Sequence, residues 1–574
     1  MDKKDVARIL EQIASLLELQ GENPFRARAF HAAAQAVASY PVDLREAAES
    51  GALGELKGIG PATLEIVSEV LKTGQSKVLT ELRAQVPPGL AEMLKISGLG
   101  VTKIRQIHEQ LEIESIDELE EAARDGRLAK LPRFGSKTAQ NILRGIQFLQ
   151  KTSDFRLFHH AREEADALVH VLGSMPGVSQ AVVAGTIRRR CEVIRELSFV
   201  LQVQDRKETV MSRLSTAPGV TDFTPHGEDS ATLKFASGTV AEVTITTLDN
   251  FGFRCLTATG NEAHILELSE LAVERGYEWT GDGLRRDGVI QPVKTEQDLY
   301  SLLNIQYLPP EIREGRGEVQ AAADFALPSL VTADDLEGFV HCHTNYSDGS
   351  TTIAEWAQEC SSHGYSYVGI TDHSLAAAYA GGLTVDNVTA QHKEIDEVNS
   401  GLSGFKVLKG VEADILADGS LDYSDDVKAR FDFIIGSVHS RFSMSEAEMT
   451  DRILKAMDDP HMLILGHPTG RLLLSRDPYP LDMDAIFTKA TETGVAIEIN
   501  ADPQRLDLDW TMVREATGKG ATISIGADAH SKSGIANMEV GLGIARKGWL
   551  TAENLLNTLP VEGFLERARL RRNR

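Results

Sequence analysis

Residues 337–345 read E-G-F-V-H-C-H-T-N, a short apolar run that ends in two histidines. Side chains two positions apart on a strand point to the same face, so we expect His341 and His343 to leave one strand end together. Two imidazoles placed in this way can bind one metal ion. An isolated H-x-H is also compatible with an ordinary polar strand end, and the downstream sequence decides between these interpretations.

Six further stretches repeat the pattern, with an apolar run that stops at an ionisable residue. They are YVGITDH (367–373), VLKGVEAD (407–414), FIIGSVHS (433–440), LILGHP (463–468), VAIEINAD (495–502) and ISIGADAH (523–530). Helical patterns such as 353–363 and 451–458 separate several of them, and strands that alternate with helices predict a parallel sheet. Seven strands with functional groups at their C-terminal ends predict a closed or nearly closed barrel, with the site on its top face.

The strand ends, together with the loop after the first strand, supply nine candidate metal ligands. They are His341, His343, Asp348, His373, Glu412, His439, His467, Asp528 and His530. A single residue of this kind is more often an ordinary polar residue. Repeated placement of such residues at the ends of predicted strands, however, is not expected by chance. Nine ligands exceed the need of one tetrahedral ion, so two or three divalent ions are predicted, and imidazole with carboxylate suits Zn²⁺, Mn²⁺ or iron. Such clusters favour phosphate-ester hydrolysis, because one ion activates water while others hold the phosphate.

The motifs H-C-H, S-D-G, T-D-H, G-V-E, G-S-V-H, L-G-H-P and A-D-A-H resemble the metal domain of the polymerase-and-histidinol-phosphatase (PHP) family. The resemblance implies that the nine residues form a trinuclear site in which Glu412, Asp528 and His439 are catalytic. The implied groups are His341, His343, Glu412 and Asp528; then Glu412, His439 and His467; then Asp348, His373 and His530. Glu498, Asn500 and Arg505 would line the substrate side, and a surface ion pair is the alternative for Arg505.

Composition limits the classes of protein to which the chain can belong. Its 574 residues allow roughly three to five domains. The formal net charge of −25 argues against a protein that coats nucleic acid indiscriminately, although local basic patches remain compatible with it. Four cysteines without paired spacing, and the lack of a long apolar run, predict a cytoplasmic protein with no disulfides and no membrane span. We expect a monomer.

Three copies of an apolar-x-G-x-G pattern open helices near the N-terminus. They are LKGIGPAT (56–63), KISGLGVTKI (95–104) and the degenerate LPRFGSKTA (131–139). The pattern indicates helix–hairpin–helix motifs, in which glycines permit close backbone approach and the N–H groups of the helix start hold a phosphate oxygen. We expect sequence-independent DNA contacts from these motifs, and a helical bundle with plain glycine turns is the alternative. The contact residues would be Gly58, Gly60, Gly98, Gly100, Lys103, Gly135 and Lys137, with Lys57 beside the first copy.

The central region carries GTIRR (185–189), TGN (259–261) and YLPPE (307–311). With the hairpin motifs in front, it is similar to the palm and fingers of family X DNA polymerases, and the order of regions is that of bacterial members with a PHP domain. The resemblance implies gapped DNA or DNA 3′ ends as the partner, 3′–5′ exonuclease activity, and abasic-site or 3′-phosphate processing as related activities. It also implies that Arg188 and Arg189 hold DNA or a triphosphate.

The expected fold is therefore multidomain, with an α region followed by α/β regions. We predict a helical DNA-binding domain (1–80), a fingers-like helical domain (81–152), a degenerate polymerase-beta-like palm and thumb (153–315), a linker (316–335) and a distorted (β/α)7 PHP barrel (336–574). The last ten residues are rich in arginine. We expect them to be a frayed, solvated helix end rather than a DNA contact.

The palm departs from the family pattern at its metal ligands. Family members place D-x-D on the strand after the arginine turn and a third aspartate on a later strand. This chain has Glu196-Leu197-Ser198 and Glu242 there, while Asp205 lies beyond the strand. Because Ser198 carries no charge, we expect the polymerase site to be inactive or severely weakened. The alternatives are a working polymerase that uses Glu196 and Glu242 with Mg²⁺ and dNTPs, and a non-catalytic DNA-binding scaffold.

Overall fold

The N-terminal part of the chain is helical in the computed structural model, which describes residues 3–21, 24–38, 40, 44–96, 98–204 and 206–573. Its helices are α1 (Lys3–Leu19), α2 (Pro24–Ala38), α3 (Leu44–Glu49), α4 (Pro61–Thr73), α5 (Lys77–Gln85), α6 (Pro88–Met93), α7 (Val101–Leu111), α8 (Ile116–Arg124) and α9 (Gly135–Thr152). Buried apolar side chains from Val6 to Ile146 form one cluster, so the segments 1–80 and 81–152 share a core. The boundary between them stays a prediction.

The middle of the chain is built on a five-stranded sheet with the order β2-β4-β7-β6-β5, in which only β4 and β7 pair in parallel. Its strands, with the small ribbons beside it, are β1 (Arg156–Leu157), β2 (Val178–Ala184), β3 (Val193–Ile194), β4 (Leu197–Val203), β5 (Val220–Pro225), β6 (Ser230–Phe235), β7 (Val240–Thr246), β8 (Glu278–Thr280), β9 (Gly283–Arg286) and β10 (Val289–Ile290). The helices are α10 (Phe158–Gly173), α11 (Gly185–Arg188), α12 (Lys207–Leu214), α13 (Phe251–Thr259), α14 (Glu262–Glu274), α15 (Glu296–Leu302) and α16 (Glu318–Ala323).

The C-terminal part is a closed barrel of seven parallel strands that follow one another in chain order, which confirms the predicted (β/α)7 architecture. The strands are β11 (Gly338–Cys342), β12 (Tyr367–Ile370), β13 (Lys406–Asp414), β14 (Phe433–Ser437), β15 (Met462–Leu465), β16 (Ala496–Asn500) and β17 (Ile523–Ala529). The helices are α17 (Ile353–Ser362), α18 (Val385–Ser400), α19 (Asp425–Lys428), α20 (Glu446–Ala456), α21 (Met483–Thr493), α22 (Trp510–Gly518), α23 (Asn537–Lys547) and α24 (Val561–Arg572).

Capping residues decide where a predicted barrel helix begins. The sequence pattern placed one helix at 451–458, but α20 begins at Glu446 because Ser445 and Glu448 form a capping box. Apolar periodicity becomes visible only after the first turn of this helix, since its first turn is acidic and faces solvent.

The C-terminal helix covers the lower end of the barrel, so the expectation of a frayed, solvated tail is wrong. Phe564 is fully buried and packs against Tyr367 and Phe433 at the starts of β12 and β14, with ring centroids 5.3 and 5.1 Å away. Arg571 is 6% exposed and donates to the backbone carbonyls of Met457 and Asp459. Arg572 likewise donates to the backbone carbonyls of Phe431 and Asp432, so carbonyls at the lower end of the barrel hold these arginines. Arg574 lies outside the described residues. Among those residues, no helix is long and apolar enough to cross a membrane.

Candidate metal centre

The first strand of the barrel presents its two histidines through a bulge. His341 has φ of +61°, and the pairing of β11 with both neighbouring strands shifts register at this point. His343 follows the last residue of the strand. Simple alternation along the strand, which we expected to align the two rings, is therefore not what brings them together. The bulge turns both imidazoles toward the same space, with ring centroids 5.5 Å apart.

Strained backbone recurs at the other ligand-bearing strand ends. His467 and Asp528 have φ of +25° and +47°, a region that non-glycine residues rarely adopt. Each such residue stores energy of about 1–3 kcal/mol, which the surrounding packing must hold. Three of the nine candidate ligands share this feature, and its clustering at one place is typical of a functional site.

Glu412 lies at the centre of the candidate site. Its carboxylate is 1% exposed, and its Oε1 atom is 2.9, 3.2 and 3.5 Å from the Nε2 atoms of His467, His439 and His341. Its Oε2 atom lies 2.9 Å from His373 Nδ1 and 3.8 Å from His343 Nε2. One carboxylate thus faces five imidazoles, an arrangement in which it can bridge neighbouring ions.

Three groups of ligand atoms lie close enough to hold an ion, since the atoms within each group are at most 4.8 Å apart. They are His341, His343 and Asp528; His373, Glu412 and His439; and His343, Asp348, His373 and His530. The structure therefore brings eight predicted ligands into these groups, and places His467 beside Glu412 without assigning it to one. This differs from the grouping that the resemblance implied. In the structure His343 and His373 each belong to two groups, and Glu412 is grouped with His373 and His439.

The unpaired atoms of these side chains fit divalent cations. Buried polar atoms normally have a hydrogen-bond partner, yet His341 Nε2, both ring nitrogens of His343 and His467 Nδ1 have none. Burial and two neighbouring imidazoles lower the pKa of His343 to about 4, which keeps it a neutral ligand. Although burial opposes it, the charge of Glu412 raises the pKa of His439 to about 9, so this pair favours a cation between its members.

A second layer of carboxylates orients the imidazoles. Asp414 Oδ1 accepts from His439 Nδ1 at 2.7 Å, and Glu498 Oε1 accepts from His341 Nδ1 at 2.5 Å. In both rings Nε2 is left to face the centre, as in carboxylate–histidine–metal arrangements. Asp414 was not among the predicted site residues, although it follows Glu412 at the end of the same strand.

Asp372 holds the loop that carries Asp348. Its carboxylate accepts from the Thr344 backbone N–H at 2.7 Å, the Thr344 hydroxyl at 2.6 Å and Gln391 Nε2 at 2.6 Å, and also from the Ser347 hydroxyl. These four donors are shared between both carboxylate oxygens, so the position requires a side chain with two accepting oxygens. Asp372 stood beside His373 in the T-D-H motif, but only the folded chain reveals that it acts on the neighbouring loop.

Glu498 lies behind the ligands, so its expected place on the substrate side is wrong. It is 1% exposed and accepts from the His467 backbone N–H at 2.6 Å as well as from His341. Gly526 on the adjacent strand makes room for it, because a Cβ there would lie 1.8 Å from Glu498 Oε1. Asn500 likewise supports a ligand, donating from Nδ2 to Asp528 Oδ2 at 3.0 Å.

Arg505 forms an ion pair at the edge of the centre. Its Nε atom is 3.5 Å from Asp528 Oδ2, and its side chain is 19% exposed. The ion pair that was the alternative for Arg505 is thus present, although it is largely buried, and a substrate contact stays a prediction. A guanidinium beside a ligand carboxylate can bind an oxygen of a phosphate held at the same place.

Among the described residues, the positions that the sequence analysis compared with polymerase metal ligands form no comparable cluster. Ser198 and Glu242 are opposite each other on β4 and β7, and Glu242 Oε1 accepts from the Thr232 hydroxyl at 2.5 Å. Glu196 is exposed at the residue before β4. All three ligand groups found among the described residues belong to the barrel. Asp205, which we placed beyond the strand, lies outside the part of the chain that the structure describes.

The arginine run after β2 is engaged within the chain. Arg188 forms two 2.7 Å hydrogen bonds to Glu296, whose carboxylate is also bound by the fully buried Arg313 at 2.6 and 2.9 Å. Arg189 donates to Glu314 at 2.9 Å, and Glu314 also accepts from Lys547 of the barrel. Arg188 and Arg189 therefore form ion pairs with residues later in the chain, and their contact with DNA or a triphosphate stays a prediction.

The glycines of the three hairpin motifs open helices. Gly58, Gly98 and Gly135 have φ of +107°, +78° and +63°, which side-chain-bearing residues rarely adopt. Gly60 and Gly100 are the N-cap residues of α4 and α7. A Cβ at Gly98, Gly100 or Gly135 would meet nothing within 4 Å, so solvent reaches these backbone positions.

The lysines of the motifs differ in their surroundings. Lys57 and Lys137 are exposed. Lys103 Nζ donates to the Gly98 carbonyl at 2.9 Å and so braces the second turn. Phosphate contacts of the helix starts in these motifs stay a prediction.

Family models match the sequence along most of its length. A helix-hairpin-helix domain matches residues 1–76, a SAM-like helix-hairpin-helix tandem residues 90–147, a DNA polymerase beta thumb residues 254–314 and a PHP domain residues 340–501. The DNA polymerase/3′-5′ exonuclease PolX of Bacillus subtilis is 34% identical over 574 residues, covering 99% of this chain and 100% of that protein.

Shorter relatives that match part of the chain are described as probable phosphatases. One from Thermoanaerobacter sp. is 28% identical over 230 residues, or 38% of this chain and 89% of the relative. Another, from Caldicellulosiruptor saccharolyticus, is 29% identical over 245 residues, or 41% of this chain and 97% of the relative.

Proposed function

Because the chain belongs to the bacterial family X DNA polymerases that carry a C-terminal PHP domain, we propose that it is a metal-dependent 3′–5′ exonuclease and phosphoesterase on DNA. The observation that carries the proposal is the buried Glu412 carboxylate surrounded by five imidazoles, several with unpaired nitrogens. A site of this composition at the top of a barrel suits the hydrolysis of phosphate esters.

The nine candidate ligands would hold two to three divalent ions, Mn²⁺ or Zn²⁺. Such ions polarise a phosphate and lower the pKa of water, which is the chemistry they would supply here. The side chains of this chain do the rest. Glu412 and Asp528 provide the negative charge that retains cations, and Asp414 fixes the ring of His439. Arg505 is placed to neutralise a phosphate oxygen beside Asp528.

DNA would be held by the helix starts of the hairpin motifs. Contacts of backbone N–H groups with phosphate carry no sequence information, which suits an enzyme that acts on any 3′ end. Because the chain carries a formal net charge of −25, we propose that it binds DNA through such local contacts rather than through its overall charge. Gapped DNA and recessed or frayed 3′ ends are the substrates we propose.

We also propose that the polymerase site is silent. Two observations support this proposal. The neutral Ser198 stands where a carboxylate is expected, and Glu242 already accepts a hydrogen bond from the Thr232 hydroxyl. The ion pair of Arg188 with Glu296 occupies the guanidinium that a triphosphate would need. We further propose that the protein acts as a monomer in the cytoplasm. Its four unpaired cysteines fit a reducing cytosol.

The test uses a primer–template DNA with a 5′-labelled primer and Mn²⁺, with and without all four dNTPs. We expect the wild-type primer only to shorten, and the primer to stay intact with His341→Ala. His363→Ala is the matched control, because this histidine of the same barrel is 48% exposed at the end of α17. It should degrade the primer as the wild type does.

Other outcomes separate the alternatives. A primer that lengthens with His341→Ala, and no longer does so with Glu196→Ala added, would establish a working polymerase. A protein that binds this DNA under Mn²⁺, Zn²⁺ and Mg²⁺ without altering it would be a scaffold. An intact primer in every lane would overturn the exonuclease proposal.

A further inference from the structure

Tyr379 presents an exposed aromatic ring at the opening of the candidate metal centre. Its side chain is 73% exposed, although its ring centroid lies 6.3 Å from that of His373 and 6.4 Å from that of His439. Within the described residues, its hydroxyl takes part in no hydrogen bond. The ring is therefore not explained by packing or by hydrogen bonding inside the protein.

The loop that carries the ring is held by backbone contacts at both of its ends. Its ends are joined by a bridge between Ser374 and Leu383, and the Leu383 backbone N–H donates to the His373 carbonyl at 2.9 Å. The Ala376 backbone N–H donates to Asp422 Oδ2 at 2.7 Å, which ties the loop to the next strand connection. A Cβ at Gly382 would lie 2.0 Å from the Ser374 carbonyl oxygen, so the tight return of the loop needs glycine.

A fixed, exposed ring beside a phosphate-binding centre offers one face to a flat apolar group. Nucleobases are such groups, and they lie next to the phosphate in any DNA strand. Stacking of a base on an aromatic side chain tolerates every base, because each has a π-face. It also requires that the base has left its own stack, which is easiest at an unpaired 3′ end.

We propose that Tyr379 stacks on the terminal base of an unpaired DNA 3′ end and thereby places the last phosphodiester at the metal centre. The inference rests on the proposed function and narrows its substrate to frayed or single-stranded 3′ ends that carry a base. Ring stacking, rather than the hydroxyl, supplies the preference.

The experiment compares two 5′-labelled single-stranded oligonucleotides that differ only in the last residue, which either carries a base or is a tetrahydrofuran abasic analogue. The full chain is used, and two quantities are measured. The first is Kd in EDTA, by fluorescence anisotropy. The second is KM for shortening in Mn²⁺. The wild type should prefer the base-bearing end roughly 5- to 100-fold in both quantities.

Three variants test whether the aromatic ring of Tyr379 causes the preference for the base-bearing end. Tyr379→Ala should lose the preference, whereas Tyr379→Phe should keep it. Leu375→Ala is the matched control, because this leucine is a 48% exposed apolar residue of the same loop without an aromatic face, and it should also keep the preference. A third oligonucleotide with the abasic residue one position inward should bind like the fully base-bearing one.

The outcomes separate this inference from the function on which it rests. If the wild type shortens both oligonucleotides equally, or if Tyr379→Ala keeps the preference, the stacking role is overturned and the exonuclease stands. If the wild type shows the preference in Kd but cleaves neither oligonucleotide, the exonuclease is overturned and the stacking role stands.

Discussion

Glu296 should be a main link between the palm and the thumb. It is 8% exposed, and its carboxylate is shared by Arg188 of the palm and the fully buried Arg313. Glu296→Gln keeps the shape of the side chain but removes its charge. The two guanidinium groups would then face each other with no anion between them, and Arg313 would remain buried without a counter-charge.

The size of this stabilisation follows from the pKa of the Glu296 carboxyl group. Burial opposes ionisation, but Arg313 and then Arg188 lower the pKa of Glu296 from 4.5 to about 2. One pKa unit corresponds to about 1.4 kcal/mol, so the charge stabilises the fold by about 3 kcal/mol. With a urea slope of about 2 kcal/mol per molar, the variant should unfold its thumb at a midpoint about 1.5 M lower.

The assay needs a probe in the thumb. Trp279 on β8 packs against Phe253 with ring centroids 4.9 Å apart. In protein labelled with 5-fluorotryptophan, its ¹⁹F resonance reports the unfolding of this region, and Trp279→Phe identifies the signal. Asp222→Asn is the matched control, because its pair with Lys234 is 3.7 Å long and both side chains are more than half exposed. Such surface pairs contribute little, so the midpoint should stay unchanged.

The stabilisation by the Glu296 carboxylate should depend on pH. The folded pKa of Glu296 is depressed, so its contribution is fully present above pH 4.5 and is lost as the pH falls toward about 2. The gap between wild type and Glu296→Gln should therefore be largest near neutral pH and shrink across that window. Equal midpoints at pH 7, or a gap that stays constant down to pH 2, would refute the role assigned to this carboxylate.

Three further substitutions probe the barrel. Asp372→Asn places an amide opposite donors and loosens the loop of Asp348, so Mn²⁺ affinity measured by calorimetry should fall roughly 10- to 100-fold, and unchanged affinity would contradict this. Gly526→Ala would displace Glu498 and should lower both Mn²⁺ affinity and the melting temperature in calorimetric scans; a wild-type profile would show that the strand can yield. Arg571→Ala leaves buried carbonyls unpaired and should destabilise the barrel by about 1–3 kcal/mol in urea titrations, whereas an unchanged midpoint would mean that water replaces the guanidinium.

The sequence by itself determined the barrel and the residues at the ends of its strands. An apolar run that stops at an ionisable residue is a local pattern, and parallel strands necessarily bring their C-terminal ends to one face. Glu412 and His439 could therefore be predicted to approach each other without knowledge of any contact. The hairpin motifs were equally visible, because a glycine that opens a helix is also a local signal.

Only the tertiary structure decided which residues support the ligands. Glu498 and His341 are 157 positions apart, so no pattern along the chain reveals that one orients the other. The same holds for Arg188, whose partner Glu296 is 108 positions away. The position of Tyr379 beside the centre likewise depends on how its loop folds back. Hydrogen bonds and ion pairs between distant segments follow from the packing of the whole chain, which local periodicity does not record.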